Sequence, residues 1–181
     1  YFGLAYGISW IIWLPLYASA WGIGHWPVLP FHHGLGALGP LIASFLTTWI
    51  FSKQDGVKRL IKQCFQFRPI IYLVIALLSP FVLASIAILL NAFINKVPVD
   101  FSALLRSKEF PQFHLLTFFI YNLVFFGLGE EVGWRGFALP KFQSRFNALT
   151  SSIILTVFWV IWHWPLFFYR PGYTSMDAAG I

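Results

Sequence analysis

Four long stretches of this sequence contain no Asp, Glu, Lys or Arg, and this pattern restricts the fold more than any other feature. The uncharged stretches are Tyr1–Ser52, Pro69–Asn95, Phe110–Gly129 and Phe146–Tyr169. Only 10% of all residues are charged, whereas soluble domains have about 25%. Hydrophobic residues make up 59% of the chain, more than a water-soluble fold of this size is able to bury. We therefore expect an integral membrane protein.

The uncharged stretches are long enough for five membrane spans, since a helix needs about 20 mostly apolar residues to cross the hydrocarbon core. The first stretch holds two spans, because Gly, Pro and His interrupt it at residues 22–33. Unbroken apolar runs favour helices over barrel strands, which alternate polar and apolar residues. The sequence predicts an all-α, polytopic transmembrane helix bundle that forms one domain over residues 1–181. The predicted spans are Phe2–Trp21, Gly34–Phe51, Ile70–Phe93, Phe113–Arg135 and Ala148–Phe168.

Basic residues are concentrated in the connection Ser52–Arg68, which contains Asp55 as its only acidic residue. The positive-inside rule places this loop in the cytoplasm, and the loop Gly136–Asn147 then lies on the same side. We expect a bacterial plasma membrane, with the lipid bilayer as a partner of the chain. These cations also explain the net charge of +6, so we predict no nucleic-acid partner. The chain begins with Tyr1 and not Met, and we expect it to be truncated at both ends.

Two adjacent carboxylates, Glu130 and Glu131, follow one of the uncharged runs. A charge near the centre of a membrane helix costs about 2.5–3.5 kcal/mol on insertion scales, so such residues normally face a cavity and have a partner. Arg135 lies one helical turn after Glu131, and this spacing predicts an ion pair that holds the site. Glu130 points about 100° away around the helix and is left free to act as a general base. The alternative is a helix end at which all three side chains are solvated.

His163 lies in an uncharged run that is rich in aromatic residues. A histidine in such surroundings is often a packing residue. Paired with a carboxylate on the preceding helix, it becomes a candidate proton carrier or metal ligand. Three other histidines lie near the predicted outer loop, and we interpret them as ordinary interfacial residues: His25, His32 and His33.

Two segments resemble motifs of a known family. Residues 130–140, with the sequence EEVGWRGFALP, closely resemble the first motif, EExxxR, of the CPBP family. This family comprises the CAAX proteases and the bacteriocin-processing or immunity proteins, and is also called Abi. Residues 159–163 resemble the second motif, FxxxH, with Trp159 in place of Phe. The third motif, a His followed four residues later by Asn or Asp, has no match after His163, and we expect further spans beyond this chain.

The resemblance implies an endopeptidase that acts on a peptide or protein substrate at the membrane. By analogy, Glu130 and His163 activate the water that attacks the scissile carbonyl, with Trp159 as a supporting residue. Glu131 and Arg135 would orient and buffer this pair. The cofactor is either a divalent metal such as zinc, bound in part by Glu130 and His163, or none if the mechanism depends on the glutamate. One Glu and one His are too few for a zinc site on their own.

Two other functions stay open at this point. The first is a non-catalytic bacteriocin-immunity or scaffold member of the same family, which the absence of a third motif further along the protein would favour. The second is a proton-coupled membrane transporter, in which Glu130, Glu131 and His163 form a proton relay. Inverted repeats in a longer chain would favour the transporter.

The predicted spans place the two candidate catalytic residues at different depths. At 1.5 Å per residue, Glu130 lies about 7 Å from the inner end of its span, and His163 lies about 22 Å along the next one. They meet only if the fourth helix continues past Arg135 or if the connector 136–147 enters the membrane. The apolar sequence that begins at Gly136 favours the embedded connector.

Overall fold

The computed structural model describes residues 1–66, 69–102, 110 and 113–174. These residues form helices and no strands, which confirms the predicted all-α class. The helices are α1 (Phe2–Tyr17), α2 (His32–Ala37), α3 (Gly39–Cys64), α4 (Ile70–Asn95), α5 (Leu115–Gln143), α6 (Ala148–Trp162) and α7 (Pro171–Thr174). A 3₁₀ turn, Trp164–Phe168, follows α6.

Within the described residues, four helical stretches are long and apolar enough to cross a membrane, and they contain four of the predicted spans almost completely. The first predicted span, Phe2–Trp21, is helical only as far as Tyr17. The chain then turns, and the loop uses positive φ angles of 70° at Gly22 and 98° at Gly24. Side chains with a Cβ rarely adopt this conformation, so the two glycines allow the loop after the helix to turn. The four stretches are His32–Cys64, Ile70–Asn95, Leu115–Gln143 and Ala148–Phe168.

The predicted loop Ser52–Arg68 is wrong over most of its length, because α3 continues to Cys64; the last two residues of that loop lie outside the described part. The helix is interrupted at Lys53, which has a φ of 52°. Beyond this break Gly56 and Leu60 are buried while the charged side chains are exposed. The charges therefore lie on one side of an amphipathic helix and do not end it.

The predicted loop Gly136–Asn147 is also wrong in part, because α5 continues to Gln143. This continuation is the first of the two routes by which Glu130 and His163 can meet, so the favoured embedded connector is incorrect. A helix satisfies its own backbone N–H and C=O groups, which an irregular connector in an apolar environment does not. Two π-helical segments, Leu123–Leu128 and Val132–Ala138, lie within α5 on either side of Glu130.

The chain divides into two compact units. One unit is formed by residues 65–121 and contains α4, which has no buried residue. In this unit the rings of Phe110 and Phe113 stack with their centroids 4.9 Å apart, and Tyr121 lies 4.9 Å from Phe110. The other unit is formed by residues 1–64 and 122–181, and both family motifs belong to it.

Helix α5 approaches the α2–α3 segment through two glycines that are four residues apart. A Cβ at Gly133 would lie 2.5 Å from the carbonyl oxygen of Pro40, and a Cβ at Gly129 would lie 2.8 Å from that of Ala37. Small residues at this spacing let the backbones of two membrane helices come close. Because Glu130 follows Gly129 directly, this contact also fixes the glutamate against the beginning of α3.

Three fully buried tryptophans connect the other helices of this unit. The ring of Trp162 on α6 lies 4.8 Å from Trp13 on α1 and 5.7 Å from Trp134 on α5. Aromatic pairs at such distances contribute about 0.5–1.5 kcal/mol beyond the area they bury. The cluster therefore holds the end of α6 against α1 and α5, next to His163.

Candidate functional site

Glu130 is buried on α5, with 9% of its surface exposed. The indole Nε1–H of Trp159 on α6 donates a hydrogen bond to its Oε2 atom at 3.2 Å. A buried carboxylate is tolerated when it has hydrogen-bond donors. This bond joins the first motif to the second across two helices, and Trp159 makes it with the N–H group that a phenylalanine lacks.

His163 follows the last residue of α6 and lies one helical turn after Trp159. Its Nδ1 atom is 2.8 Å from the backbone carbonyl oxygen of Trp159. Because a carbonyl only accepts, Nδ1 carries the hydrogen and Nε2 of the neutral ring has a free lone pair. The rings of Trp159 and Trp162 contact the imidazole edge-on at 4.2 and 4.7 Å. The histidine is thus held in one tautomer, and none of the described residues forms a hydrogen bond with its Nε2.

Glu130 and His163 line the same cavity, which has a volume of about 190 Å³. A water molecule occupies about 30 Å³ in the liquid, so the cavity has room for a few waters or for a small part of a substrate. The structure thus brings together the two residues that the sequence separates by a helix and a connection. The other lining residues are Trp13, His33, Phe126, Trp162, Leu166, Arg170 and Tyr173.

His33 lines this cavity as well, and the interpretation of it as an ordinary interfacial residue is wrong. Its ring stacks on Trp13 with centroids 5.5 Å apart, and its Nδ1 lies 2.7 Å from the hydroxyl oxygen of Tyr169. The available signal was a histidine pair directly before the second predicted span. Its place in the site depends on the turn between α1 and α2, which the hydrophobic pattern does not reveal.

The other two histidines of this region have no part in the cavity. His32 is buried, and its Nδ1 accepts a hydrogen bond from the backbone N–H of Leu29 at 3.1 Å. Its Nε2 therefore carries the hydrogen and donates to the carbonyl oxygen of Ile12 at 2.6 Å. His32 is a structural residue that holds the α1–α2 turn, whereas His25 is exposed.

The predicted ion pair between Arg135 and Glu131 is present, and both side chains are half exposed. Glu131 does not line the cavity that contains Glu130; it lines a separate pocket with Leu60 and Val132. Arg135 lines a small pocket with Trp159. A half-exposed ion pair stabilises a fold by at most about 1 kcal/mol, and both of its residues lie on α5, so its contribution is local to that helix.

The cavity offers few side chains that could coordinate a metal ion. In the part of the chain that the structure describes, no three His, Cys, Asp or Glu side chains are arranged to hold a metal ion. Glu130 and His163 supply two ligands, and a catalytic zinc site normally has three from the protein. Zinc at this position would therefore require a further ligand outside the described residues.

Comparison with known proteins identifies the segment that carries both motifs. The family described as Type II CAAX prenyl endopeptidase Rce1-like matches residues 112–179. A CAAX prenyl protease 2 from Methanococcus maripaludis is 46% identical over 44 residues, which are 24% of this chain and 16% of that protein. The chain therefore matches only a small part of this curated relative.

No solved structure matches the chain significantly. The four apolar helices and the family match together support an integral membrane protein. The resemblance drawn from the two motifs is confirmed for the matched segment, because residues 112–179 carry the sequence pattern of the CAAX prenyl endopeptidase family.

Proposed function

We propose that this chain is part of an integral membrane endopeptidase of the CAAX protease type. One observation carries the proposal: Glu130 and His163, from two separate family motifs, line the same cavity. Trp159 supports it, because its indole reaches Glu130 while its carbonyl oxygen orients His163. A buried carboxylate beside an oriented imidazole is a pair suited to moving a proton from water.

In the proposed reaction Glu130 is the general base. Its carboxylate accepts a proton from a water molecule in the cavity, and the water oxygen forms a bond to the scissile carbonyl carbon. The C=O electron pair moves onto the carbonyl oxygen and gives a tetrahedral oxyanion. When this oxyanion re-forms the carbonyl, the C–N bond breaks and the proton on Glu130 passes to the leaving nitrogen. One water is consumed, and the products are a carboxylic acid and an amine.

His163 positions the water in this scheme. The lone pair on Nε2 accepts a hydrogen bond from the second O–H of the water, which directs the oxygen towards the carbonyl. Groups held in such an arrangement lower the barrier because their orientation is fixed before the reaction. Aromatic rings such as Phe126 and Trp162 line the cavity together with polar side chains.

The substrate is proposed to be a peptide or protein segment at the membrane. The matched relative is called a CAAX prenyl protease, so prenylated CAAX-type C-terminal peptides are the first class to test. The basic side chains around the α3 break favour a cytoplasmic location for that end of the fold. Peptide processing and bacteriocin immunity are the other roles to compare.

The proposal is tested with the full-length purified protein in lipid nanodiscs and a panel of membrane-peptide and CAAX reporters. Glu130→Gln keeps the shape of the side chain but removes the base, and we expect cleavage to fall by about 10²–10⁴-fold. Asp55→Asn makes the same chemical change at an exposed position and serves as its matched control. His163→Ala is compared with His25→Ala in the same way.

Loss of cleavage in the two site variants, with normal cleavage in both controls, would support the proposal. Full cleavage by Glu130→Gln would contradict the assignment of the base. A wild-type protein that binds the reporters and cleaves none would favour the immunity or scaffold role. Each protein is also assayed with a divalent-metal chelator, followed by added zinc, to distinguish metal from glutamate chemistry.

A further inference from the structure

A larger cavity of about 570 Å³ lies in the unit that contains the site, and neither Glu130 nor His163 lines it. We call it the break cavity, because it lies beside the interruption of α3 at Lys53. Its walls come from the beginning of α1, from α3 on both sides of the break and from the last turns of α5. Sites for small molecules have volumes of about 300–1,000 Å³, so the break cavity is large enough for a ligand.

The charges around the break cavity have one sign. Arg59 and Lys141 line it, and no Asp or Glu does. The ammonium of Lys141 lies 5.0 Å from the centroid of the Phe137 ring, and this contact directs it along the wall. Guanidinium and ammonium groups are suitable donors for the oxygens of a phosphate.

The remainder of the wall is apolar. Phe2, Phe51, Leu60 and Phe137 line the break cavity together with the polar groups, and Phe51 is 81% exposed. A free anion would use the polar groups alone, whereas an amphiphile would cover both kinds of wall. Basic pockets between membrane helices bind the headgroups of anionic lipids.

We propose that the break cavity binds an anionic glycerophospholipid. Its phosphate lies against Arg59 and Lys141, and an acyl chain runs along the phenylalanine rings. The proposal concerns a site separate from Glu130 and His163 and does not depend on the peptidase activity.

The break in α3 shapes one wall of the break cavity. Thr48, Ser52 and Gly56 all line the break cavity. A Cβ at Gly56 would lie 2.4 Å from Cβ of Ser52 and 2.8 Å from Cγ2 of Thr48, so a side chain there would push the two segments of α3 apart. The missing side chain of Gly56 therefore leaves space between Thr48 and Arg59 in the wall of the break cavity.

The test measures lipid retention by native mass spectrometry of the full-length purified protein. Phosphatidylglycerol and phosphatidylcholine with identical acyl chains are added in separate experiments, and inorganic phosphate is added as a third probe. Two double variants are compared: Arg59→Gln with Lys141→Gln, and Lys58→Gln with Arg145→Gln. The second pair removes the same charge from exposed side chains outside the break cavity.

We expect the wild-type protein to retain phosphatidylglycerol about tenfold or more over phosphatidylcholine, as two charge contacts to one headgroup suggest. The Arg59 and Lys141 variant should lose this preference, and the Lys58 and Arg145 variant should keep it. Equal retention of the two lipids by the wild-type protein would overturn the proposal, and so would equal loss in both double variants. Displacement of phosphatidylglycerol by stoichiometric phosphate would show a site for small anions and overturn the lipid assignment.

Discussion

Replacing Gly133 with alanine tests the contact that places Glu130. Gly133 lies on α5 where this helix touches the beginning of α3, and a Cβ there would be 2.5 Å from the carbonyl oxygen of Pro40. The carbonyl carbon and the Cβ of Pro40 would both be 2.6 Å away. Pro40 has no flexible side chain to move aside, so the two helix backbones would have to separate.

The change in the free energy of unfolding of Gly133→Ala is the sum of two opposing effects. Alanine in place of glycine favours a helix by about 1 kcal/mol. Inserting a methyl group into a tightly packed contact costs about 1–3 kcal/mol, or more when the backbone must shift. Since the atoms that the methyl would meet are backbone and proline ring atoms, the second term is expected at its upper end. Gly133→Ala should therefore destabilise the fold by about 1–2 kcal/mol.

Gly127→Ala is the matched control on the same helix. The nearest atoms to a Cβ at Gly127 are Cδ1 of Leu123 at 3.5 Å and the carbonyl oxygen of Asn122 at 3.6 Å, which are ordinary contacts. This variant has the same gain in helix propensity and no clash, so it should be neutral or slightly more stable than the wild-type protein.

The melting temperatures of the two purified variants are measured in the same detergent. Their rates of reporter cleavage are measured as well. A misplacement of catalytic groups by about 1 Å lowers rates by about 10²-fold, so Gly133→Ala should also lose cleavage that Gly127→Ala keeps. Equal melting temperatures for the two variants would refute the close approach of α5 to α3, because the two substitutions differ only in that contact.

Three further changes test individual bonds of the site. Trp159→Phe removes the indole hydrogen bond to Glu130 and should lower kcat/KM about tenfold or more, as expected for a bond to a charged group; unchanged kinetics would show that the bond has no role. Arg135→Gln breaks a half-exposed ion pair, so the free energy of unfolding in denaturant should change by at most about 1 kcal/mol. His32→Ala leaves two backbone groups unpaired and should lower the melting temperature, whereas exposed His25→Ala should not.

The hydrophobic pattern was sufficient to predict the fold class and the central part of four spans. It failed to predict helices that contain charged residues, such as the segment of α3 beyond Lys53. Counting charges treats such a segment as a loop, although a helix can bury Gly56 and Leu60 on one side and expose cations on the other. The same reasoning explains why α5 was predicted to end too early.

The sequence predicted only those residues of the site that belong to the two motifs. The spacing of Glu131 and Arg135 predicted their ion pair, because residues four apart lie on one face of a helix. His33 belongs to the cavity through a fold of the chain between α1 and α2. Hydropathy carries no information on such long-range placement, so no local pattern distinguishes His33 from the structural residue His32.

The substitution at position 159 shows how a departure from a motif can change its chemistry. The family pattern has phenylalanine there, and a phenyl ring is able to pack against a histidine but has no N–H group to donate. Trp159 keeps that packing, with its ring 4.2 Å from His163, and adds an N–H that reaches Glu130. Its carbonyl oxygen meanwhile holds the Nδ1 hydrogen of His163. One residue therefore contacts both groups of the proposed catalytic pair, Glu130 through its indole N–H and His163 through its ring and its backbone carbonyl oxygen.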